Sequence, residues 1–417
     1  MAPYSKRIRR AVDVARWRLC VGCGACVHVC PEGNIRLINE LSDGLRPRVD
    51  EGKCKDCGEC LKVCIGVEMS HKGVGGAPRY VPRLALSWGS VLEVWEGYAL
   101  DPDIRYMGSS GGLASALALF CIEREGMRGI LHVGIDKEDP LANRTDYSRT
   151  RAEVLERTGS RYSPASPCDG FGHIESANGP CVFIGKPCDV AGLRKAQELR
   201  PALDRNVGLA IGIFCAGTPA TQGTLDLLKR FEIDPIQVEE LRYRGRGWPG
   251  KFAVKLKGEK GLREVTKYMD AWSFIQKYRP YRCYLCPDST SEFADISCGD
   301  PWYRPIKEDE MGYSLVLVRT DRGKAILRGA IDAGYLKLEQ ADPGILERSQ
   351  PDMPAKRGAV WGRILAMRAF GIPTPRLEGF SLFQNWLRLS SMEKARSILG
   401  TAKRIIQRRY YKPYNFS

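Results

Sequence analysis

The hydrophobic and polar positions of this 417-residue chain change character along its length. Between about residues 90 and 340, short apolar runs alternate with helical patterns. Gly108 to Glu125 reads as a glycine turn opening an apolar helix, Ile130 to Ile135 as a strand, and Gly179 to Gly185 as a short buried strand. Val190 to Glu198 reads as a helix, Val207 to Phe214 as another buried strand, and Thr221 to Phe231 as an amphipathic helix. Strands alternating with helices predict an α/β (α+β) core with a mixed, at least partly parallel sheet. Phe252 to Lys257 and Glu264 to Tyr268 read as a β-hairpin inserted in that core.

The flanks follow other rules. Residues 1–72 are dominated by cysteine-bearing loops, with Val49 to Glu51 resembling a short strand. Residues 71–82 are rich in Gly and Pro and read as a linker into a core of residues 73–340. Residues 341–417 form a basic, mostly helical extension. From Leu382 to Tyr411 the pattern is helical, with Ala395, Ile398, Leu399, Ala402, Ile405 and Ile406 on one face.

Composition narrows the class. A hydrophobic content of 43% supports a large core and excludes a disordered chain. The basic first residues are followed by no apolar segment of signal-peptide type, and no run is long enough to span a membrane. Sixteen cysteines without a secretory signal point to a reducing, cytoplasmic setting and to metal or cluster binding. The net charge is +15, and residues 341–417 carry 14 Lys/Arg against 5 Asp/Glu. Such an excess favours an acidic partner: a ferredoxin or other redox protein, a polyanionic cofactor, or an anionic membrane surface at the inner face. For the tail, packing on its own core or on a neighbouring subunit of a homo-oligomer is the stronger expectation. No nucleic-acid-binding signature is present.

Cysteine spacing supplies the chemistry. Cys20, Cys23, Cys26 and Cys30, and again Cys54, Cys57, Cys60 and Cys64, follow the C-x₂-C-x₂-C-x₃-C run of two-cluster bacterial ferredoxins. Three cysteines on a tight loop converge on one cubane, and the fourth of each run closes the other site. The first site is then Cys20, Cys23, Cys26 and Cys64, and the second Cys54, Cys57, Cys60 and Cys30. Gly22, Gly24 and Gly58 let the backbone approach the sulfurs at positive φ. Pro31 follows Cys30 as the pattern asks, whereas Ile65 replaces the second Pro. Zinc sites use pairs of cysteines, not this triplet, so two [4Fe–4S] clusters in a small ferredoxin-like domain are expected.

Four more cysteines are scattered: Cys188 in GKPCDVAGLRK, Cys215 in GIFCAG, and Cys283 with Cys286 in YRCYLCPD. The first two follow predicted buried strands, whose C-terminal ends gather at one sheet edge. Spacing alone leaves a third cluster, a structural zinc and plain buried thiols open.

These segments, with GSSGGLASALALF, GSRYSP, CYLCPDSTSEFADISCGD and GYSLVLVRTDRG, resemble the beta subunits of coenzyme F420-reducing hydrogenases and dehydrogenases, a family that includes 7-hydroxymethyl chlorophyll reductases. The resemblance runs from about Ser87 to Glu339. It implies FAD and a third [4Fe–4S] cluster on Cys188, Cys215, Cys283 and Cys286. No dinucleotide fingerprint G-x-G-x-x-G is present, so the flavin rests on the resemblance. Ser109, Ser110, Gly111 and Gly112 open a helix whose free N–H groups suit a phosphate, or form an ordinary cap. Arg161 and Lys186 are candidate phosphate or flavin-edge partners, Asp295 and Asp300 candidate ribityl partners, and Tyr162 or Asp300 a proton source. Cys121 and Cys181 read as core. Cys168 matches no cluster motif, and Cys298, within ADISCGD, is placed to approach a flavin. His28, His71, His132 and His173 fit no catalytic motif, so no catalytic residue is assigned.

Clusters carry single electrons and flavins exchange hydride, so the implied activity is an oxidoreductase linking the two. The resemblance implies coenzyme F420, a deazaflavin, as the two-electron substrate. The alternatives are a ferredoxin-dependent reductase of an organic substrate and a non-catalytic electron-transfer subunit.

Overall fold

The computed structural model describes residues 7–71, 80–307 and 310–416, so most of the predicted linker lies outside the described residues. In chain order, a hairpin of β1 (Ile35–Glu40) and β2 (Gly44–Val49) is followed by the short β3 (Glu68–Ser70). Then come β4 (Glu93–Ala99), β5 (Ile130–Ile135), β6 (Asn143–Ser148), β7 (Cys181–Gly185) and β8 (Val207–Ile213). The chain next builds β9 (Val238–Arg242), β10 (Lys251–Leu256) and β11 (Arg263–Lys267). It ends its strands with β12 (Ile296–Gly299), β13 (Ser314–Val318), β14 (Leu336–Gln340) and β15 (Arg376–Glu378).

Eight strands form one mixed sheet in the order β14-β4-β13-β12-β8-β7-β5-β6. β5, β7, β8 and β12 run parallel, and β13 and β6 flank them antiparallel. Parallel strands covered on both faces read as continuous apolar runs, which is why Val207–Ile213 was legible as buried. The helices Leu113–Glu123 and Pro187–Gln197 cover the sheet from apolar clusters that meet at its two faces.

Three expectations are corrected. The predicted hairpin is part of a separate three-stranded sheet, because β10 pairs β9 as well as β11. The single tail helix is two, Leu382–Leu387 and Ser391–Gln407, because Ser390 and Glu393 form a capping box that starts the second. Its packed face also differs. Ser397, Thr401 and Ile405 are buried, while Leu399 and Ile406 are exposed. The reason is close approach: a Cβ on Gly362 of the Met353–Ala369 helix would meet Ser397 Oγ at 2.0 Å, so only small residues fit between the helices.

The three regions are not separable beads. β15 of the extension pairs β3 in parallel. Trp17, Leu19 and Leu61 share an apolar cluster with Tyr281, Leu285, Met367 and Ile405, with Cys20, Cys60 and Cys64 at its edge. Among the described residues no helix is long and apolar enough to cross a membrane.

A buried ion pair locks the extension to the core. Arg357 donates to Glu292, whose other oxygen lies 3.1 Å from His71 Nε2. Burial alone raises the Glu292 pKa, but Arg357 and His71 outweigh it and hold the carboxyl at about 2. The Arg357→Met variant strands that carboxylate and is expected to lose about 3–5 kcal/mol in chemical denaturation at pH 7. Because the folded pKa lies below the ordinary 4.5, the contribution is complete above pH 4.5 and disappears as pH falls through about 2. The gap between wild type and variant should close over that window.

Candidate functional site: two cysteine cavities and an arginine-lined sheet edge

The first cysteine run folds as a tight loop ending in the short helix Ala25–Val29. Gly22 holds φ 76°, and a Cβ there would meet the Leu45 carbonyl oxygen at 2.6 Å, so the β2 backbone presses directly on the loop. Gly24 and Gly58 also take positive φ, as the spacing predicts. The Gly22 N–H donates to Cys20 Sγ at 3.3 Å.

Thiol electrostatics record which cysteines are neighbours. Burial pushes Cys64 up to about 12, with Cys20 and Cys23 adding to the rise. Cys26 is raised by burial, then by Cys20, Cys23 and Cys64. Cys60 is pushed up to about 11 by burial, with Cys57, Cys30 and Cys54 beside it. The fourth cysteine of each run therefore sits with the other run. An outer cavity of about 20 Å³ is lined by Cys30, Cys54, Cys57 and Cys60, of which Cys57 is exposed.

The scattered cysteines also meet. Cys188 starts the helix after β7, Cys215 follows β8, and Cys283 and Cys286 lie on a loop and short helix below them. All four line one cavity of about 50 Å³, which Cys20 of the first run lines as well. Burial raises Cys188, Cys215 and Cys286, the last to about 11. Among the described residues no His, Cys, Asp or Glu group of three converges closely enough for a single metal ion. Four thiols around one cavity are a donor set that suits a cluster.

Beside this cavity, at the same C-terminal edge of the parallel strands, lies a second constellation. Asp300 follows β12 and accepts both terminal nitrogens of Arg244, at 2.7 and 2.9 Å, and Trp248 Nε1 at 2.9 Å. Arg244 also donates to the Ser109 carbonyl and, at 3.4 Å, to the Tyr162 hydroxyl. Its guanidinium lies 4.5 Å from the Tyr268 ring centroid and 5.5 Å from that of Trp302. Burial raises the Tyr268 phenol, and Tyr162 adds to the rise.

Arg242, on β9, supplies an unmatched donor. Its Nη1 is buried and bonded to nothing. It lies 3.4 Å from the positions where Gly159 and Gly245 would carry a Cβ, and Ser109 Oγ is 4.0 Å from the Gly159 position. Burial lowers its pKa, Glu240 opposes this, and neighbouring Arg246 adds to the lowering. Two glycines, a serine and a free guanidinium nitrogen form a cradle suited to an anion.

Several sequence candidates take other places. Ser110 Oγ donates to the Tyr313 carbonyl and the Gly111 N–H to Ser314 Oγ, while Gly112 caps the Leu113–Glu123 helix; of the four turn residues, Ser109 faces the arginines. Arg161 is a structural pin, committed to Asn143 Oδ1 and to the carbonyls of Leu241, Pro140 and Ala142. Lys186 is bonded to Asp189 at 2.6 Å and lines the cysteine cavity, not the glycine turn. Asp295 lies at the opposite end of β12, held by Ala210 N, Arg194 and Thr320. Cys298 packs in the core, and burial raises it to about 12. Cys168 is no bystander: its thiol donates to the Asp189 carbonyl at 3.4 Å, and its backbone N–H donates to the Cys23 carbonyl at 3.0 Å. Sequence reasoning missed Arg242, Arg244, Trp248, Tyr268 and Trp302. The one signal was the arginine–glycine alternation of Arg242 to Gly250.

Comparison with known proteins follows the same division. A 4Fe–4S dicluster domain profile matches residues 19–65. Profiles of the coenzyme F420 hydrogenase/dehydrogenase beta subunit match at residues 94–170 for its N-terminal part and 180–344 for its C terminus. The coenzyme F420 hydrogenase subunit beta of Methanococcus voltae is 27% identical over 296 residues, 70% of this chain and 100% of that protein. The coenzyme F420-dependent sulfite reductase of Methanocaldococcus jannaschii is 24% identical over 339 residues, 78% of this chain but 47% of that protein, so the chain spans about half of it. A chain of the F420-reducing [NiFe] hydrogenase complex from Methanosarcina barkeri shares the fold, with a TM-score of 0.56 at 21% identity over 70% of this chain and 97% of that one.

Asp300→Asn leaves the buried Arg244 charge without a carboxylate. The expected loss is about 3–5 kcal/mol by denaturant unfolding, with a changed near-ultraviolet dichroism from Trp248, Tyr268 and Trp302. An unchanged midpoint and spectrum would show that the pair bears no part of the site.

Proposed function

The chain belongs to the coenzyme F420 hydrogenase/dehydrogenase beta-subunit family with an N-terminal 4Fe–4S dicluster domain, and on that premise we propose that it is an iron–sulfur flavoprotein. It passes electrons between a one-electron carrier of ferredoxin type and a two-electron substrate, coenzyme F420 or a related hydride couple. The observation that carries the reading is one shared edge. The cavity of Cys188, Cys215, Cys283 and Cys286 and the Arg244–Asp300 constellation both lie where β7, β8 and β12 end.

The residues fit the groups that the family implies. Cys20, Cys23, Cys26 and Cys64 would hold the inner cluster, Cys30, Cys54, Cys57 and Cys60 the outer one, and the four scattered cysteines the third. The orphaned Arg242 nitrogen, with Ser109, Gly159 and Gly245, would take the flavin phosphates. A bound FAD supplies the exchange between hydride and single electrons. Tyr162, Tyr268 and Trp302 offer flat aromatic walls for a planar ring, and Asp300 keeps Arg244 charged and oriented beside them. The Tyr162 hydroxyl, 3.1 Å from Tyr268 and within reach of Arg244, can hold a proton at the site.

At the outer end, Cys57 is exposed beside the surface ion pairs Arg10–Asp56 and Lys55–Glu32, a site open to a carrier protein. A separate catalytic partner subunit, as in the hydrogenase complexes of the relatives, is compatible with the same wiring.

Anaerobic purification should give about twelve iron, matching sulfide and one FAD per chain. Cys283→Ala should lower iron to about eight while FAD remains. Arg242→Met should lower bound FAD at least tenfold with iron unchanged. Iron near eight in the wild type would remove the core cluster, and full FAD in Arg242→Met would remove the phosphate assignment. Reduction of coenzyme F420 by a chemically reduced ferredoxin tests the substrate.

A further inference from the structure

Two buried guanidiniums stand between the inner cysteine set and the core set. Arg46 and Arg282 are each 1% exposed. Arg46 comes from β2. It donates to Asp43 Oδ2 at 2.7 Å and to the Leu45 carbonyl at 2.7 Å, the same carbonyl that presses on Gly22 in the first cysteine loop. It lines the core cavity with Cys20 and Cys283. Arg282 comes from the other side, one residue before Cys283. It donates to the Leu285 carbonyl at 2.8 Å and crosses to the Ile65 carbonyl, next to Cys64, at 3.1 Å. Each arginine thus reaches from one cysteine set to the backbone or cavity of the other.

Their charge balance differs. Arg46 has Asp43 as counter-ion. Arg282 bonds only carbonyls and the Met69 sulfur, its Nε is buried without a partner, and no carboxylate among the described residues pairs with it. An uncompensated cation in the interior is costly, and a large anion beside it lowers that cost beyond what carbonyls supply. Thiolate-bound clusters are such anions. The outer set is surrounded differently. Arg10 is paired with Asp56 at 2.6 Å and Lys55 with Glu32 at 2.7 Å, at the surface where water screens them.

We propose that Arg46 and Arg282 are redox-tuning residues of the inner–core junction, whose buried positive charges make the inner and core clusters easier to reduce than the outer one. The inference rests on the cluster reading above. One electron moves inward at each step, from a reduced group to an oxidised one, and no bond forms or breaks. Arg282 has the larger effect because no acid offsets it.

The test uses the full-length chain, purified anaerobically, in a redox titration followed by electron paramagnetic resonance. Cys57→Ser assigns the outer signal. In Arg282→Gln, the reduced-to-oxidised ratio of the inner and core signals at fixed potential should fall about tenfold, equivalent to about 59 mV for one electron. Arg46→Gln should shift them less in the same direction. Arg282→Lys and Arg46→Lys should restore wild-type values, and the outer signal should not move. If only the glutamine variants lose iron while the lysine variants keep it, charge is again the requirement. Equal shifts in Gln and Lys variants, a common shift of all three signals, no shift, or loss of iron in all four variants would overturn the proposal. About twelve iron with unmoved potentials would sink this inference alone, whereas about eight iron in the wild type would sink the core-cluster reading beneath it.

Discussion

The burial of arginine charge is the constraint on which the rest of this structure depends. A guanidinium cannot shed its charge in the interior, so wherever one is buried the fold must bring an anion or a ring of carbonyls to it. Arg244 draws Asp300, Ser109 and Tyr162 together across three elements. Arg357 draws Glu292 and ties the C-terminal extension to the core loop after Cys286. Arg319 collects the carbonyls of Trp88, Ser90 and Thr290. Each closes a contact between segments distant in sequence.

Topology explains why these contacts fall in one place. Four parallel strands end at one edge, so the residues that follow β7, β8 and β12 become neighbours without any local sequence relationship. Cys188, Cys215 and Asp300 are such residues. The β1–β2 hairpin and the loop of Cys283 and Cys286 then close over that edge, bringing Cys20 to the rim of the core cavity. The outer set is left at the surface, where Cys57 is exposed.

The parts legible in the sequence are those with a local cause. Ile130–Ile135 and Val207–Ile213 are continuous apolar runs, and the two cysteine triplets carry their geometry in their spacing. What stayed hidden depends on strand boundaries and on pairs far apart. Asp295 and Asp300 belong to one motif, yet the strand Ile296–Gly299 separates them, so they fall on opposite edges of the sheet. Arg244 and Asp300 are 56 residues apart, and neither looks unusual alone. On the tail helix, apolarity pointed to Leu399 and Ile406. Ile405 of that face is buried, but beside it pack Ser397 and Thr401, and at Ser397 the facing glycine leaves room for nothing larger. Hydrophobic patterning assumes an ordinary helix spacing, and here the spacing is short.

The same reasoning bears on why the dicluster stretch is joined to the core as it is. A ferredoxin-like unit tethered by a linker would meet its acceptor in many orientations. Here β3 pairs β15 of the C-terminal extension, and Trp17, Leu19 and Leu61 pack on Tyr281, Leu285 and Ile405. Arg282 bonds the backbone beside Cys64 from the core side. Those contacts bury the junction and hold its two sides together. Buried at the junction, each of these charges is screened less than a surface charge would be. The extension, which carries none of the twelve motif cysteines, therefore shapes the junction between the inner and core cysteine sets as much as the cysteine loops do. It supplies the apolar cover under which the charges of Arg46 and Arg282 count.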